Sequence, residues 1–416
     1  MPLNSPPTSR SPLPERYLSA PGIPPRPNLP RQMRRQRRRR RLAIVAVVPA
    51  LVVLFFFWSI AAAVTTPGNQ GFQAKWADWM RSHHAAFIIN PLEAWYYTSH
   101  APKKGGAPKH LNAVPKARNT SPSVASTTIP HLPAPSPVPL VVSPALPGEG
   151  QWQPVGPTYH GIPGMYEAQF RADTVYTSEI TSAVWIDPKI MHLQLVPGAH
   201  DPGGTWSHPP YVAPSELPNI AAAFNGGFRM QDAHGGFYLN GKTAVPLVNG
   251  AASLVFYRNG TVNVGAWGSQ VTMTPQVVSV LQNLVPMVNN GQVSPTATYN
   301  DVSVWGATLG ANTVVARSGV GVTANGALVY VAGPALTAKT LAESLQRAGA
   351  VRAMTLDINP EWVTFNFFQH LNPANMSQVK GVSLYPQMQR SPNRYLPPTL
   401  ESRDFIEVQA PTGASF

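Results

Sequence analysis

The segment Ala327–Asp357, ALVYVAGPALTAKTLAESLQRAGAVRAMTLD, decides the fold of this chain. Ala327–Ala332 is an apolar strand pattern that ends at a Gly-Pro pair. Thr337–Ala348 has the apolar spacing of a helix with one buried face, and Val351–Leu356 is a second strand pattern. Strand, helix and strand in this order predict a β–α–β crossover and a parallel pair of strands. Asp357 then lies at the carboxyl end of a strand, where sheets of this kind bind ligands.

Hairpin signals surround this segment. Asn-Gly pairs, whose residues accept the positive φ of a tight hairpin turn, lie between strand-like runs at Asn240-Gly241, Asn259-Gly260 and Asn325-Gly326. A second helix is expected in Thr274–Val285. The fold class is therefore α/β (mixed α+β), with a mixed sheet that combines antiparallel hairpins and a β–α–β crossover.

The charge of the chain is concentrated at its N-terminus. The sequence has 416 residues and a formal net charge of +13, and residues 1–41 contribute eleven arginines against one glutamate. From Gln151 onward, thirteen basic residues face fourteen acidic ones, so the folded part lacks the basic stripe that binds nucleic acid. We expect no nucleic-acid partner. The absence of cysteine excludes thiol catalysis, thiolate metal sites and disulfides.

An apolar segment follows the arginine-rich tail. Leu42–Val64 contains twenty-three residues without a charge, enough to cross a hydrocarbon core of about 30 Å as a helix. Arginines on its N-terminal side predict a cytoplasmic N-terminus and an exported C-terminal part, hence a single-pass protein of the cell membrane. A cleaved signal peptide is the alternative, with small residues at Ala61–Ala63. The length of the apolar run favours an uncleaved anchor.

Composition divides the chain into five parts. We expect a disordered basic cytoplasmic tail at 1–41, a transmembrane helix at 42–64 and a juxtamembrane aromatic segment at 65–100. The aromatic segment fits either the membrane–water boundary or a short helix packed on the next domain. A Pro-rich linker at 101–150 predicts a semi-rigid spacer ahead of a folded domain at 151–410.

Polar residues in glycine-bearing turns are candidates for a binding site. Asn225, Gly226 and Gly227 follow an apolar run, and two glycines let a ligand approach backbone N–H groups. An ordinary tight turn explains the same pattern. Arg317 stands between a strand-like run and a glycine-bracketed turn, where its planar guanidinium suits two oxygens of a phosphate. A structural salt bridge, for example with Asp301, is the alternative.

Two acids follow the second strand of the crossover. Asp357 and Glu361 bracket Ile358-Asn359-Pro360, and the proline opposes a helix there. A turn in this loop brings the carboxyl groups toward the separation of about 5–9.5 Å that glycoside hydrolysis uses. The alternative is that one acid caps a backbone turn while the other points to water. Motifs of serine hydrolases, zinc peptidases and P-loop proteins are absent from the sequence.

Taken in order, these motifs resemble those of the phosphodiester glycosidase family, of the N-acetylglucosamine-1-phosphodiester alpha-N-acetylglucosaminidase type. That family has an Asn-Gly-Gly-Phe turn, an Arg-Thr-x-x-Gly turn, and a helix leading to a strand that ends Leu-Asp-Gly-Gly-Gly-Ser. Here AFNGGF at Ala223–Phe228, ARSGVG at Ala316–Gly321 and MTLD at Met354–Asp357 take those places. Ser318 replaces the usual threonine, and DINPEW at Asp357–Trp362 replaces the glycine loop, which reduces the number of free backbone donors.

The resemblance implies a phosphodiester glycosidase-like domain and a set of site residues. Asp357 is expected to be the nucleophile or general base, with Glu361 as its catalytic partner. The substrate-binding residues are expected to be Arg317, for the phosphate, and Asn225, Gly226, Gly227 and Asn359.

These observations lead to a specific hypothesis of function. The chain is expected to be a membrane-anchored, exported hydrolase that cleaves a sugar-1-phosphodiester in cell-envelope glycopolymer. The alternatives are a non-catalytic envelope glycan-binding protein that retains the cleft, and a structural wall-spanning protein. The partners of this protein are expected to be the cell-envelope glycan or sugar phosphodiester, and the membrane through Leu42–Val64. No cofactor and no metal ligand set is expected, although acids near a phosphate leave room for a divalent cation.

Overall fold

The computed structural model describes residues 31–65, 71–108, 110–114, 129–306 and 312–416. Contacts divide the chain into two units, Met1–Trp58 and Ser59–Phe416. The part of the predicted tail at 1–30 lies outside the described residues. The described helices are α1 (Arg31–Thr65), α2 (Phe72–Ser82), α3 (Ala86–Ser99), α4 (Pro295–Thr298), α5 (Val302–Trp305) and α6 (Ala338–Arg347), with a 3₁₀ turn at Leu217–Asn219.

Helix α1 contains the apolar segment of the sequence. Its stretch Val47–Thr65, 19 residues, is long and apolar enough to cross a membrane by length and composition, and no other helix among the described residues is. The predicted segment Leu42–Val64 lies wholly within α1, with Pro49 inside the helix. The prediction of one apolar helix ahead of the folded part is therefore confirmed.

The described part of Ser59–Phe416 contains three sheets. The strands of the largest are β1 (Gln153–Tyr159), β2 (Ile162–Phe170), β3 (Thr181–Ile186), β11 (Val288–Asn289), β12 (Gln292–Val293), β13 (Val315–Thr323), β14 (Leu328–Leu336) and β15 (Ala350–Thr355). Their order across the sheet is β1-β2-β3-β14-β13-β15-β11-β12. Every neighbouring pair is antiparallel.

The other two sheets have five strands each. The strands of the second sheet, in sheet order, are β7 (Lys242–Val245), β6 (Phe237–Leu239), β10 (Val277–Gln282), β8 (Ala252–Tyr257) and β9 (Val262–Ala266). Those of the third are β17 (Val379–Ser383), β16 (Phe365–His370), β5 (Ile220–Asn225), β18 (Phe405–Gln409) and β4 (His192–Val196). Apolar residues of all three sheets share one buried cluster, so the sheets enclose a common core. The expected mixed α+β fold is confirmed, with antiparallel hairpins at all three Asn-Gly pairs.

The β–α–β crossover forms, but its two strands are not neighbours. β13 lies between β14 and β15 and pairs antiparallel with both, so β14 and β15 run in the same direction one strand apart. The predicted parallel pair is therefore wrong. The hairpin at Asn325-Gly326 places β13 beside β14 first, and the returning strand pairs with the free edge of β13.

Helix α6 begins and ends where the sequence predicts. Thr337 caps it, because the Thr337 hydroxyl accepts from the Thr340 amide at 3.0 Å and the Thr340 hydroxyl accepts from the Thr337 amide at 2.9 Å. Gly349 follows with φ +99°, a conformation that glycine adopts without strain. Leu341 and Leu345 are fully buried in a cluster with residues of the large sheet, which fixes the helix against it.

The prediction of a second helix in Thr274–Val285 is wrong. This stretch contains β10, whose residues Val277, Val280 and Leu281 are buried. β10 pairs with β6 on one side and β8 on the other. Branched side chains such as those of Val277 and Val280 fit a strand better than a helix, because the preceding helical turn restricts their χ1 angle whereas the pleated sheet surface accommodates them.

The Pro-rich segment is not a free spacer over its described residues. Leu132 and Val138 are buried in a cluster with strands of the large sheet. Glu149 is buried and accepts hydrogen bonds from Arg171 Nε at 2.9 Å and Nη2 at 2.7 Å. The expectation of a spacer at 101–150 came from its proline content, and these prolines instead hold an extended chain along the fold. Residues 115–128 lie outside the described part.

Candidate active site

Asp357 lies two residues beyond β15, past the carboxyl end of that strand. The residue is 2% exposed. Arg403 Nη1 donates to its Oδ2 at 2.7 Å, and the backbone N–H of Asn359 donates to its Oδ1 at 2.8 Å. The backbone N–H of Ser318, on β13, donates to the Asp357 carbonyl at 2.8 Å. Burial raises the pKa of Asp357 above its usual range, and the Arg403 guanidinium opposes that rise. The carboxylate is therefore rigidly held and paired with one cation.

A second buried acid, Asp404, lines a small pocket together with Asp357. Asp404 immediately precedes β18, and among the described residues neither of its carboxyl oxygens has a hydrogen-bond partner. Burial, with the charge of Asp201 nearby, raises the pKa of Asp404 to about 8. Asp404 therefore keeps its proton at pH 7. Asp357 and Asp404, together with Arg403 and Trp362, line a pocket of about 10 Å³, room for roughly one water molecule.

Asn225, at the end of β5, ties the walls of this pocket together. Its Oδ1 accepts hydrogen bonds from the Tyr330 hydroxyl at 3.0 Å and from the Thr364 backbone N–H at 3.1 Å. Its Nδ2 donates to Ser318 Oγ at 3.1 Å and to the Gly226 carbonyl at 2.7 Å. The amide is thus occupied by protein partners. Asn225 lies where the sequence predicted, at the pocket, and it positions the surrounding strands.

Gly226 allows the close approach of Asp404. The Gly226 N–H donates to the Asp404 carbonyl at 3.1 Å, and a Cβ added to Gly226 would lie 1.8 Å from Asp404 Oδ2. Gly227 packs against Asn283, whose side chain would be 3.1 Å from an added Cβ. Both glycines therefore serve close packing at the pocket.

We expect Gly226→Ala to displace Asp404 and to lower the free energy of unfolding by about 1–3 kcal/mol, because the new methyl group has no free volume. Denaturant unfolding measures this change. Gly71→Ala is the control, since a Cβ there meets its nearest atom at an ordinary 3.6 Å. Equal stability of the two variants would contradict the packing role of Gly226.

Positive charge is concentrated around Trp362. The guanidinium carbons of Arg403, Arg390 and Arg394 lie 3.8, 5.0 and 5.3 Å from the centre of the indole ring. The ring face attracts such cations and holds them in place. Arg403 contacts Asp357, while Arg394 donates to Glu401 Oε2 at 2.6 Å. The pocket therefore has a cationic wall of fixed guanidinium groups, each of which is paired with a carboxylate.

Glu361 and Asn359 occupy the loop beside the pocket. Glu361 Oε2 is 3.6 Å from Arg390 Nη1, and Glu361 does not line the pocket of Asp357 among the described residues. The Glu361 backbone N–H donates to Asn359 Oδ1 at 3.0 Å, so Asn359 shapes the loop through both its amide oxygen and its own N–H. Asp357 and Asp404 therefore line the same pocket, and among the described residues Glu361 is not part of its lining.

Arg317 is not brought to Asp357. It lies within β13, where the side chain of its neighbour Ser318 points to Asn225, so the Arg317 side chain points to the opposite face. Its guanidinium is buried and donates to backbone carbonyls, including Leu336 at 3.1 Å. Within the described residues no carboxylate pairs with it, and burial lowers the pKa of Arg317 to about 10. The expected glycine-bracketed turn is instead a continuous strand, and strand alternation turns the guanidinium away.

A larger cleft adjoins the small pocket. It has a volume of about 350 Å³, and Arg403 lines both spaces. The ionisable side chains on its walls are Lys75, Asp78, His200, Asp201, Arg229 and Arg403. Helix α2 forms one wall, and its Asp78 forms an ion pair with Arg229. This packing fits the alternative in which the aromatic segment is a helix on the domain. The cleft is large enough for a sugar phosphate.

Three site residues were not predicted from the sequence. Arg403 and Asp404 contact or line the pocket, and Arg229 lines the cleft. The available signal was a set of polar residues directly before or after an apolar strand or turn. Arg403-Asp404 directly precedes β18, and Arg229 follows the Asn-Gly-Gly-Phe turn by one residue.

Comparison with known proteins identifies the family of this segment. Residues 218–357 match the model of the phosphodiester glycosidase family. This match supports the family assignment made from the sequence motifs, because the matched residues include Asn225, Arg317 and Asp357.

Two solved structures are similar to the chain. One is the catalytic domain of zebrafish N-acetylglucosamine-1-phosphodiester alpha-N-acetylglucosaminidase, auto-inhibited by its pro-peptide, with 15% identity over 61% of this chain and 85% of that chain and a TM-score of 0.39. The other is a hypothetical protein from Synechocystis, with 13% identity over 60% of this chain and 62% of that chain and a TM-score of 0.30. A search of curated proteins gives no match.

Proposed function

We propose that this protein hydrolyses a sugar-1-phosphodiester at the glycosidic C–O bond. The observation that carries the proposal is the pocket shared by Asp357 and Asp404, because Arg403 stabilises the carboxylate of the first and burial keeps the second protonated. Two acids with such different surroundings suit a general base and a general acid. Glu361 and Arg317, which the sequence suggested for these tasks, take no part in this mechanism.

The reaction requires one water and one substrate. Asp357 accepts a proton from the water as its oxygen bonds to the anomeric carbon. The bond between that carbon and the phosphate oxygen breaks, and its electron pair stays on the phosphate. Asp404 donates a proton to the departing phosphate, so the products are a free sugar and a phosphomonoester. Exchange with solvent returns both acids to their starting states. Arg403 and Arg229 bind the phosphate oxygens in the cleft and stabilise the charge that develops there.

The substrate class and location extend the proposal. Helix α1 would act as an uncleaved anchor, with the arginine-rich tail in the cytoplasm and the chain beyond Thr65 exported. The substrate would then be a sugar phosphodiester of the cell-envelope glycopolymer. The cationic walls of the cleft support an anionic polymer as ligand.

A non-catalytic glycan-binding protein is the second candidate. It is favoured by the ion pair of Asp78 with Arg229, which occupies one of the cations proposed to bind phosphate. In that case the cleft would bind an envelope glycan without turnover.

Product analysis separates the two candidates. The full-length protein in detergent is incubated with a glycosyl phosphodiester in water enriched in heavy oxygen. The proposal expects release of free sugar with the heavy oxygen on its anomeric carbon. Heavy oxygen found in the phosphomonoester would mean P–O cleavage and refute the mechanism. Saturable binding without release of sugar would establish the binding protein.

The pH profile tests the role of Asp404. Folding raises the pKa of Asp404 from 3.8 to about 8, so the proton required for catalysis is lost above pH 8 and kcat/KM falls. We expect Asp404→Asn to abolish this alkaline limb and to lower kcat/KM by roughly 10–100-fold, a limited loss because phosphate is a weakly basic leaving group. If the alkaline fall in kcat/KM is unchanged in Asp404→Asn, that fall belongs to another ionisable group.

The same shift has a consequence for stability. Because the pKa of Asp404 is raised on folding, its contribution to stability is complete below pH 4 and is lost as the pH rises through about 8. The difference in unfolding free energy between wild type and Asp404→Asn should therefore change over this interval.

A further inference from the structure

A second cluster of ionisable groups lies away from the pocket of Asp357. His208 and Glu216 are on the connection between β4 and β5, and Glu407 is on β18. One ligand atom from each of the three lies within 4.8 Å of the others. Glu407 is fully buried, on the same strand face as Phe405, in an apolar cluster. Two carboxylates beside an apolar core require a compensating positive charge.

The histidine is oriented as a ligand. His208 Nδ1 lies 2.7 Å from the Pro209 carbonyl oxygen, which can only accept, so Nδ1 carries a hydrogen and donates it. In neutral imidazole this leaves a lone pair on Nε2. That nitrogen lies 2.8 Å from Glu216 Oε2, also a lone-pair atom, so the contact requires either a proton on Nε2, which makes His208 an imidazolium, or a metal ion beside the two atoms. Metal-binding histidines characteristically donate their other N–H to a carbonyl in this way.

Protein groups contact both oxygens of Glu216, whose Oε2 accepts from the Ala213 backbone N–H at 3.0 Å, but donors in the described part of the chain reach only one oxygen of Glu407. Gln194 Nε2 donates to Glu216 Oε1 at 2.8 Å and to Glu407 Oε2 at 2.9 Å. Gln409 Nε2 also donates to Glu407 Oε2, at 2.9 Å. Glu407 Oε1 has no hydrogen-bond partner among the described residues, although it is fully buried. A buried carboxyl oxygen of this kind is satisfied by a proton of its own or by a bound cation, and no hydrogen-bond donor among the described residues reaches it.

We propose that His208, Glu216 and Glu407 form a binding site for a divalent transition-metal ion, with zinc as the matching class. One imidazole and two carboxylates are a ligand set that zinc accepts, and a dipositive ion neutralises both acids. Ligand atoms of a tetrahedral zinc lie about 3.4 Å apart, so the cluster needs only small side-chain movements. His208 and Gln194 line an open cavity of about 410 Å³, which gives an ion access from solvent.

The site has a structural role that does not depend on the proposed hydrolysis. It ties the connection between β4 and β5 to β18, three residues beyond Asp404. Bound zinc therefore stabilises the strand that begins at the active-site acid, without contacting the substrate.

Zinc binding to the full-length protein, without a polyhistidine tag, tests the site. After treatment with a chelator, calorimetric titration with zinc should give one ion per chain, and the ion should raise the melting temperature. His208→Ala and Glu407→Gln should each weaken binding by roughly 100-fold. His192→Ala is the matched control, because His192 is exposed and lines the same cavity without belonging to the cluster.

Glu407→Gln also separates metal loss from misfolding. Glutamine has nearly the same shape, so the zinc-free variant should melt at the temperature of zinc-free wild type or above it. The proposal is overturned if wild type binds no zinc at pH 7, or if Glu407→Gln binds it as tightly as wild type. Those results would assign the cluster to an imidazolium–carboxylate pair.

Discussion

Asp357→Asn should lower kcat/KM by about 1,000-fold or more. Asparagine keeps the shape of the side chain but cannot accept the proton of the attacking water, and general-base catalysis contributes about 100- to 10,000-fold. The variant also removes the carboxylate that pairs with Arg403 at 2.7 Å, which disturbs the phosphate-binding guanidinium. Both effects act on the transition state. Steady-state release of sugar from a glycosyl phosphodiester measures the loss.

The matched control for this variant is Asp173→Asn. Asp173 Oδ1 accepts from two backbone N–H groups at 2.7 Å, a task that asparagine performs equally well. We expect this control to keep its turnover within a factor of two. Thermal melting of both variants shows whether the fold survives. If folded Asp357→Asn keeps more than a tenth of wild-type activity, the chemistry lies elsewhere.

Glu401→Gln should destabilise the protein by about 3 kcal/mol or more. Glu401 and Arg394 form a buried ion pair at 2.6 Å, and their side chains are 1% and 2% exposed. Loss of one charge removes the carboxylate that neutralises the buried Arg394 cation, and removal of one partner of a buried ion pair costs about 3–5 kcal/mol. Arg394 also lies against the Trp362 ring, so the disturbance reaches the pocket. The midpoint of denaturant unfolding reports the change.

An exposed pair provides the comparison for Glu401. Lys339 and Glu343 are one helical turn apart on α6, with Nζ and Oε1 separated by 3.1 Å. Water screens this pair, so Glu343→Gln should change the unfolding free energy by less than about 0.5 kcal/mol. Similar effects of the two substitutions would mean that solvent reaches Arg394 and that the cationic wall is not rigid.

Local signals in the sequence predicted much of the fold. Gly326 adopts φ +92° in its hairpin turn, a conformation that few other residues adopt, and the cap at Thr337 and the glycine at Gly349 define the ends of α6. These features depend on residues within a few positions of each other. The position of β13 between β14 and β15 depends instead on which strand β15 pairs with, and that contact joins residues far apart in the sequence. Val277–Gln282 could not be assigned correctly because a short apolar run fits a strand or a helix until its neighbours are known.

The site was predicted only in part, for a related reason. Asp357 and Asn225 lie in motifs short enough to be recognised, and both reach the pocket. Arg403 and Asp404 directly precede β18, about 46 residues beyond Asp357, and only the pairing of β18 with β5 brings them there. Arg317 was assigned to the phosphate because the run ARSGVG resembles a turn. The glycines at Gly319 and Gly321 instead make room for Leu345 and Ala353 in a continuous strand.

The buried ion pair of Glu149 with Arg171 bears on how a soluble form should be prepared. A truncation at Gln151 looks natural from composition, yet it deletes the acid that neutralises Arg171 and uncovers the apolar surface beneath Leu132 and Val138. Such a fragment would be prone to aggregate, and its inactivity could be mistaken for a lack of enzymatic competence. A recombinant form that begins ahead of α2 and retains residues 129–150 keeps both this segment and the helix that lines the cleft, and assays of the isolated folded part should use that form.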